Sequence, residues 1–263
     1  MAMDKDLQYW DSIYETLKKD GAHSLWRSHS DAVNIALLGR WLPQGKTGCL
    51  LKTDLFDEAV CNGMHPFLMT TAEDIISIDI SPLIVKAAQK AHNDLKGTAA
   101  DVRCLPFYNN TFDSIVSIST LDHFASRKEI INSLREFHRV LKNGGQLILT
   151  IDNLMNPVIA LRTMLPFGLL KRAGIVPYYV GATAGPRYLR RILELTGFEV
   201  IDTDAVMHCP RVLAVALAHI LERNVNPDAQ RLFLRALMAF EHLSRLPTRF
   251  LTGHFTAIRA VKS

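Results

Sequence analysis

The stretch ISIDIS, residues 76–81, decides how this chain reads. An apolar strand delivers Asp79 to its carboxyl end, and a helix starts just after it. An acid at that point can accept hydrogen bonds from both hydroxyls of a ribose, as in dinucleotide-binding folds. Asp79 or Ser81 can equally serve as the cap of the following helix.

Working outward, short apolar runs alternate with helical stretches, the rhythm of βα units around a parallel sheet. GCLLKT (48–53) is expected as strand one, DIISIDI (74–80) as strand two and GTAAD (97–101) as strand three. FDSIVSIST (112–120) follows as strand four, and KEIINSLREFHRVLK (128–142) as an amphipathic helix closed by Asn143-Gly144-Gly145. GQLILTID (145–152) is strand five.

Upstream, LQYWDSIYETLKK places Leu7, Trp10, Ile13, Tyr14 and Leu17 on one helix face. After a break at Gly21, DAVNIALLGRWL repeats the pattern, opened by Ser30 or Asp31 and stopped by Pro43. Downstream, prolines and glycines make residues 153–184 an irregular insertion with short helices. A helix from about Pro186, a stop at Gly197, strand six, a helical stretch over about 212–243 and a strand HFTAIRAVK (254–262) complete the chain.

The expected fold class is α/β: one Rossmann-like, doubly wound, seven-stranded and mostly parallel sheet. Its parts are a helical cap (1–45), a nucleotide-binding core (46–152), a substrate-lid insertion (153–184) and the remainder of the sheet (185–263).

With 263 residues, 48% hydrophobic and 21% charged, the chain can bury a sizeable core and is far from a disordered composition. Four cysteines scattered without a CxxC pair suggest neither a zinc ribbon nor a disulfide framework, which points to a reduced, cytoplasmic compartment. The charged start and the lack of a long apolar run imply no signal peptide and no membrane span. A net charge of +4 is spread among acids, so nucleic-acid binding is not expected.

ADVRCLPFYNNTFDSIVSISTLDHF (100–124) extends the pattern with an Asp ending strand three, an LPF loop, an FD-apolar strand and a short loop ending in His. Together with LREFHRVLKNGGQLILTIDN and LRRILELTGFEVI, it resembles the class I S-adenosylmethionine (SAM) methyltransferases over roughly residues 45–155 and 184–262. The resemblance implies SAM as cofactor and S-adenosylhomocysteine (SAH) as product. It makes Asp79, beside Ile80, the ribose ligand and Asp101 with Val102 the adenine contacts. Ser119 or Thr120 would line the methionine part. His123 falls where the family's chain approaches the transferred methyl group, as the candidate catalytic base; it can also be a histidine packed beside the next helix. Tyr178, Tyr179 and His208 are further base candidates. MHCPR (207–211) holds only half the ligands that zinc usually takes.

One loop departs from the family. Its acid-x-Gly-x-Gly-x-Gly pattern lets the backbone approach the cofactor's amino-acid tail. Here LLKTDLFDEAVCNG (50–63) has Lys52 in place of the acid and Asp54, Phe56 and Glu58 in place of the glycines, so side chains should fill the methionine half. Three readings stand. SAM still binds, with Asp54 or Asp57 supplying a carboxylate to its ammonium; the scaffold has lost SAM; or Asp54, Asp57, Glu58 and His65 hold a metal.

The insertion mixes apolar residues with Arg162, Lys171, Arg172, Arg187, Arg190 and Arg191. That combination suits a hydrophobic, anionic substrate or a peripheral membrane contact through 153–191; it also suits a lid with a solvated basic face. The leading function is methyl transfer to a small-molecule or lipid-like acceptor. The alternatives are a catalytically silent binding or assembly protein and a non-methylating enzyme that uses a SAM-like cofactor.

Overall fold

A computed structural model describes residues 2–19, 24–46, 48–174, 176, 178–223 and 226–263; Gly21, Thr47 and Pro177 lie outside them. Two helices, α1 (Ala2–Lys19) and α2 (Ser24–Trp41), precede the sheet. Then come β1 (Cys49–Thr53), two short helices α3 (Phe56–Val60) and α4 (His65–Leu68), β2 (Asp74–Asp79), α5 (Pro82–Ala91) and β3 (Lys96–Ala99). β4 (Phe112–Ile118), a 3-10 turn (Leu121–His123), α6 (Arg127–Val140) and β5 (Leu141–Asp152) complete the nucleotide-type half. The insertion forms α7 (Pro157–Met164) and α8 (Phe167–Arg172). After it run α9 (Pro186–Leu195), β6 (Phe198–Val206), α10 (Arg211–Arg223), α11 (Pro227–Ala239), α12 (Arg249–Thr252) and β7 (Phe255–Lys262).

The seven strands lie in the order β3-β2-β1-β4-β5-β7-β6, a Rossmann-like α/β sheet. Neighbours from β3 to β5 pair in parallel, and β7 runs antiparallel to both β5 and β6. Consecutive residues Leu50 and Leu51, Ile115 and Val116, and Leu147 and Ile148 are all buried but join the hydrophobic clusters on opposite faces. A strand covered on both sides reads as an unbroken apolar run, which is why these strands were visible in the sequence. Phe137, Leu134 and Leu189 pack on one face from α6 and α9. Leu37, Leu38, Leu68 and Ala218 cover the other from α2, α4 and α10.

Some boundaries differ from expectation. Ser30 and Asp31 lie inside α2 rather than capping it. The segment Asn143-Gly144-Gly145 is not a helix stop: α6 ends at Val140, and β5 begins at once with a register shift opposite Phe112 and Ser114, where Gly144 takes φ 76°. β3 ends at Ala99, so Asp101 sits in the turn beyond it. The helical stretch near 212–243 is divided, with Asn226 capping α11 through the amides of Asp228 and Ala229. Among the described residues no helix is long and apolar enough to cross a membrane.

Candidate functional site

In an open α/β sheet the crevice opens at the carboxyl ends of the strands where the strand order reverses, here between β1 and β4. A cavity of about 1520 Å³ lies there, larger than a single small-ligand pocket of roughly 300–1,000 Å³. Asp54, Asp57, Asp79, Ile80, Asp101, Val102, Ser119, Thr120 and His123 all line it.

Asp79 ends β2 with its carboxylate held by two backbone amides, Leu55 N–H at 3.0 Å and Ser81 N–H at 2.9 Å. The cap of α5 is Ser81, whose hydroxyl accepts from Ile84 N–H at 3.1 Å. Asp79 thus ties the loop after β1 to the loop after β2. Burial, with Asp54 close by, pushes its carboxyl up to about 7, and burial pushes Asp54 up to about 6. Asp54 holds φ 70°, the left-handed conformation that a glycine would take at no cost. Its side chain accepts from Phe56 N–H at 2.7 Å.

The expectation that all three glycine-replacing side chains fill the methionine half is corrected here. Glu58 is fully buried and does not line the cavity. It pairs with the Lys52 ammonium at 2.8 Å and accepts from Met64 N–H at 3.0 Å. Lys52 also donates to the Asp54 carbonyl. Gly63, at φ 57°, lets the chain pass over Glu58, since a Cβ there would lie 2.5 Å from its carboxyl. Only Asp54 and Phe56 of the three face the cavity, and Asp57 is paired with Arg27. His65 turns to Asp94 at 3.2 Å, so the four candidate metal ligands do not gather. Among the described residues no group of three or more His, Cys, Asp or Glu could hold a metal.

Both oxygens of Asp101 are occupied by Arg103, whose Nε lies 3.0 Å and 2.9 Å from them. Arg103 extends to Glu129 at 2.6 Å and to Asp6 of α1 at 2.8 Å. Val102 is buried beside this cluster on the cavity wall. Where β1 and β4 run side by side, Thr53 donates to Ser117 at 3.0 Å, and its hydroxyl lies 2.8 Å from that of Thr120. Ser119, at φ 49°, donates to Asp122 at 3.0 Å.

His123 is wedged between the rings of Trp10 (4.7 Å) and Tyr178 (5.5 Å). Its Nδ1 lies 3.1 Å from the Tyr179 carbonyl, which can only accept, so Nδ1 carries the hydrogen and Nε2 keeps its lone pair. Asp122 Oδ1 lies 3.8 Å from Nε2 and is buried without a hydrogen-bond partner among the described residues. Gly181 locks this loop to the insertion: its N–H donates to Asp122 O at 2.7 Å, and a Cβ there would meet Phe124 O at 2.0 Å. His208 is excluded as a base, because Thr252 and Ala205 O engage its two ring nitrogens at 2.7 Å and 2.9 Å.

α1 closes one side of the cavity. Besides Asp6, Tyr9 accepts from Tyr179 N–H at 2.6 Å, and Asp11 meets the Ser81 hydroxyl. Four residues of the site escaped the sequence reading: Asp122, Arg103, Arg211 and His254. Asp122 stood next to the chosen histidine and was the one a neighbour rule could have found. Arg103 and the Arg211–His254 pair depend on contacts between elements distant in sequence.

The parallel sheet, its order with an antiparallel seventh strand, and the crevice between β1 and β4 define a class I methyltransferase fold. Residues 57–149 match the family model described as a methyltransferase domain. It is 33% identical over 134 residues to the demethylmenaquinone methyltransferase of Thermotoga maritima, covering 51% of this chain and 56% of that protein. The chain spans 22–60% of the length of the first curated relatives it matches. A SAM-dependent methyltransferase structure from Thermotoga maritima superposes with TM-score 0.60 at 16% identity, over 97% of this chain and all of that one. The geranyl diphosphate C-methyltransferase of Streptomyces coelicolor does so with TM-score 0.58 at 10% identity, over 88% and 77%.

Proposed function

We propose that this chain is an active SAM-dependent methyltransferase acting on a small-molecule or lipid-like acceptor. The observation that carries the reading is the acidic floor of the cavity. Asp54 and Asp79 are held at raised pKa beside an accessible void, so the site gains from a ligand that brings positive charge. SAM, when bound, supplies a methyl group on a cationic sulfonium, and its ammonium adds a second positive centre. Glu58 folded under the loop leaves room that the sequence alone denies.

In this reading Asp79 takes the ribose hydroxyls, Asp101 and Val102 flank the adenine, and Asp54 or Asp57 meets the ammonium. Ser119 and Thr120 line the sulfonium side. His123 Nε2 accepts the acceptor's proton where the acceptor is bound protonated, and Asp122 Oδ1, 3.8 Å from Nε2, stabilises the resulting imidazolium by its charge. Most of the rate comes from holding the acceptor in line and keeping water out, which α1 and the insertion do by closing the cavity. Exposed Val158, Leu161, Met164 and Leu169, with Lys171 and Arg172 beside them, support a peripheral lipid contact through 153–191.

The test is calorimetric titration of the full chain with SAM and SAH, repeated on Asp79→Ala with its fold checked by thermal melting. Low-micromolar binding lost in the variant supports the reading; no binding to the wild type sinks it. That second outcome would favour a silent scaffold, a reading supported by Asp54 and Phe56 standing where glycines leave open space.

A further inference from the structure

Trp26, Tyr178, Cys209–Leu213, His254 and Phe255 also line the cavity. Three arginines line the whole cavity, and two of them carry their own carboxylate: Arg27 has Asp57, and Arg162 has Asp152. Arg211 forms no ion pair among the described residues. Its guanidinium meets neutral groups instead, His254 Nε2 at 2.9 Å and the Tyr178 hydroxyl at 3.3 Å, and it lies over the rings of Trp26 and Phe255, each 5.7 Å away. Burial pushes His254 down to about 4, so the imidazole beside Arg211 is neutral and offers a lone pair rather than a charge. Asp152 Oδ1 lies 3.3 Å from the same His254 Nε2, with its other oxygen on Arg162; burial works against the charge of Arg211, and Tyr178, Asp152 and Asp122, acting through space, hold its pKa above the ordinary arginine value.

A half-buried guanidinium with no carboxylate in direct contact keeps a planar fork that matches carboxylate and phosphate. Arg211 also opens α10, a helix of 13 residues whose first internal bond runs from Ala214 N–H to Pro210 O at 2.9 Å. The amides of Val212 and Leu213 precede that bond, on cavity-lining residues, where helix N–H groups favour negative charge. Outward from Arg211 the lining is apolar and exposed, with Val158, Val212, Leu213 and Leu251 at the rim.

We propose that Arg211, the Tyr178 hydroxyl and the first amides of α10 seat the anionic group of an amphiphilic acceptor, a carboxylate or phosphate whose apolar body passes out between α7 and α10. The proposal rests on the methyltransferase reading for the word acceptor, but the site itself stands independently. Tyr178 is also in ring contact with His123, so a group seated on Arg211 leaves the acceptor's body one aromatic ring from the candidate base.

The experiment titrates the full chain, by the fluorescence of its tryptophans, with decanoate, decyl phosphate and decanol, and in parallel with SAH. The expected result is that at least one anion binds about tenfold or more tighter than decanol, the size of one charge-assisted hydrogen bond. Which anion binds tighter identifies carboxylate or phosphate. Arg211→Gln should remove that preference while changing the SAH dissociation constant less than about twofold, and Arg211→Lys should restore part of it. Decanol binding as tightly as both anions overturns the proposal, and that comparison needs no variant. So does a folded Arg211→Gln protein that keeps the preference. A wild type that prefers anions yet ignores SAH and SAM keeps the anion site and sinks only the methyltransferase reading.

Discussion

Asp122 Oδ1 stands 3.8 Å from His123 Nε2 and has no hydrogen-bond partner among the described residues, while the other ring nitrogen is fixed on the Tyr179 carbonyl. A buried carboxylate oxygen without a donor is expensive at rest, and protonation of Nε2 would bring a positive charge beside it. With an acceptor in hand, His123→Gln is expected to lower turnover by about 10²- to 10⁴-fold, with SAH affinity nearly unchanged. Asp122→Asn should lower it by about tenfold or more and change its pH profile. Equal turnover in both variants would remove the dyad from the reaction.

Affinity for the cofactor should depend on pH through the acidic floor. Asp79 titrates near 7 and Asp54 near 6 in the ligand-free protein; in the proposed pose the ribose hydroxyls donate to ionised Asp79 and the ligand's ammonium meets ionised Asp54. Lowering the pH from about 8 to about 6 protonates most of Asp79, so SAH binding measured calorimetrically should weaken by about tenfold. Asp54→Asn should shrink that dependence. A flat profile over the range would show that neither carboxylate binds the ligand in its ionised form.

Lys52 and Glu58 make a buried pair whose members depend on each other. Lys52→Met alone strands a carboxylate under the loop and is expected to cost about 3–5 kcal/mol in chemical denaturation. The double variant Lys52→Met, Glu58→Met should recover most of that loss, because an apolar pair of similar volume avoids the desolvation cost. Equal destabilisation by the single and double variants would refute the coupling.

Gly181→Ala tests how the insertion positions the His123 loop. Its Cβ would collide with a backbone oxygen, Phe124 O, so the loop must shift. The expected outcome is a loss of about 1–3 kcal/mol in stability together with lower turnover. Gly168→Ala, which meets nothing within 4 Å, should do neither.

The sheet was legible because its central parallel strands are covered on both faces and therefore largely apolar, as Leu50, Leu51, Ile115 and Val116 illustrate. That Asp79, Ser119 and His123 line one cavity was legible because they end strands or follow them closely, and strand ends converge on one crevice. The loop from Lys52 to Glu58 was read as filling the cavity, since a sequence shows which side chains replace glycines but not where they point. Glu58 turns inward because Lys52, a residue on a buried strand, needs a counter-charge. Arg211 was invisible for the opposite reason: its partners Tyr178 and His254 come from the insertion and the entry to the last strand.

The helix α1 is fastened at Asp6 to Arg103, at Tyr9 to Tyr179 and at Asp11 to Ser81, three different parts of the cavity rim gripped within two turns of one helix. Fastenings so close on a rigid rod release together rather than one by one. The residence time of whatever lies beneath is then governed by the undocking of the helix, not only by the contacts the ligand makes. Product escape, rather than bond making, would set the pace of each cycle.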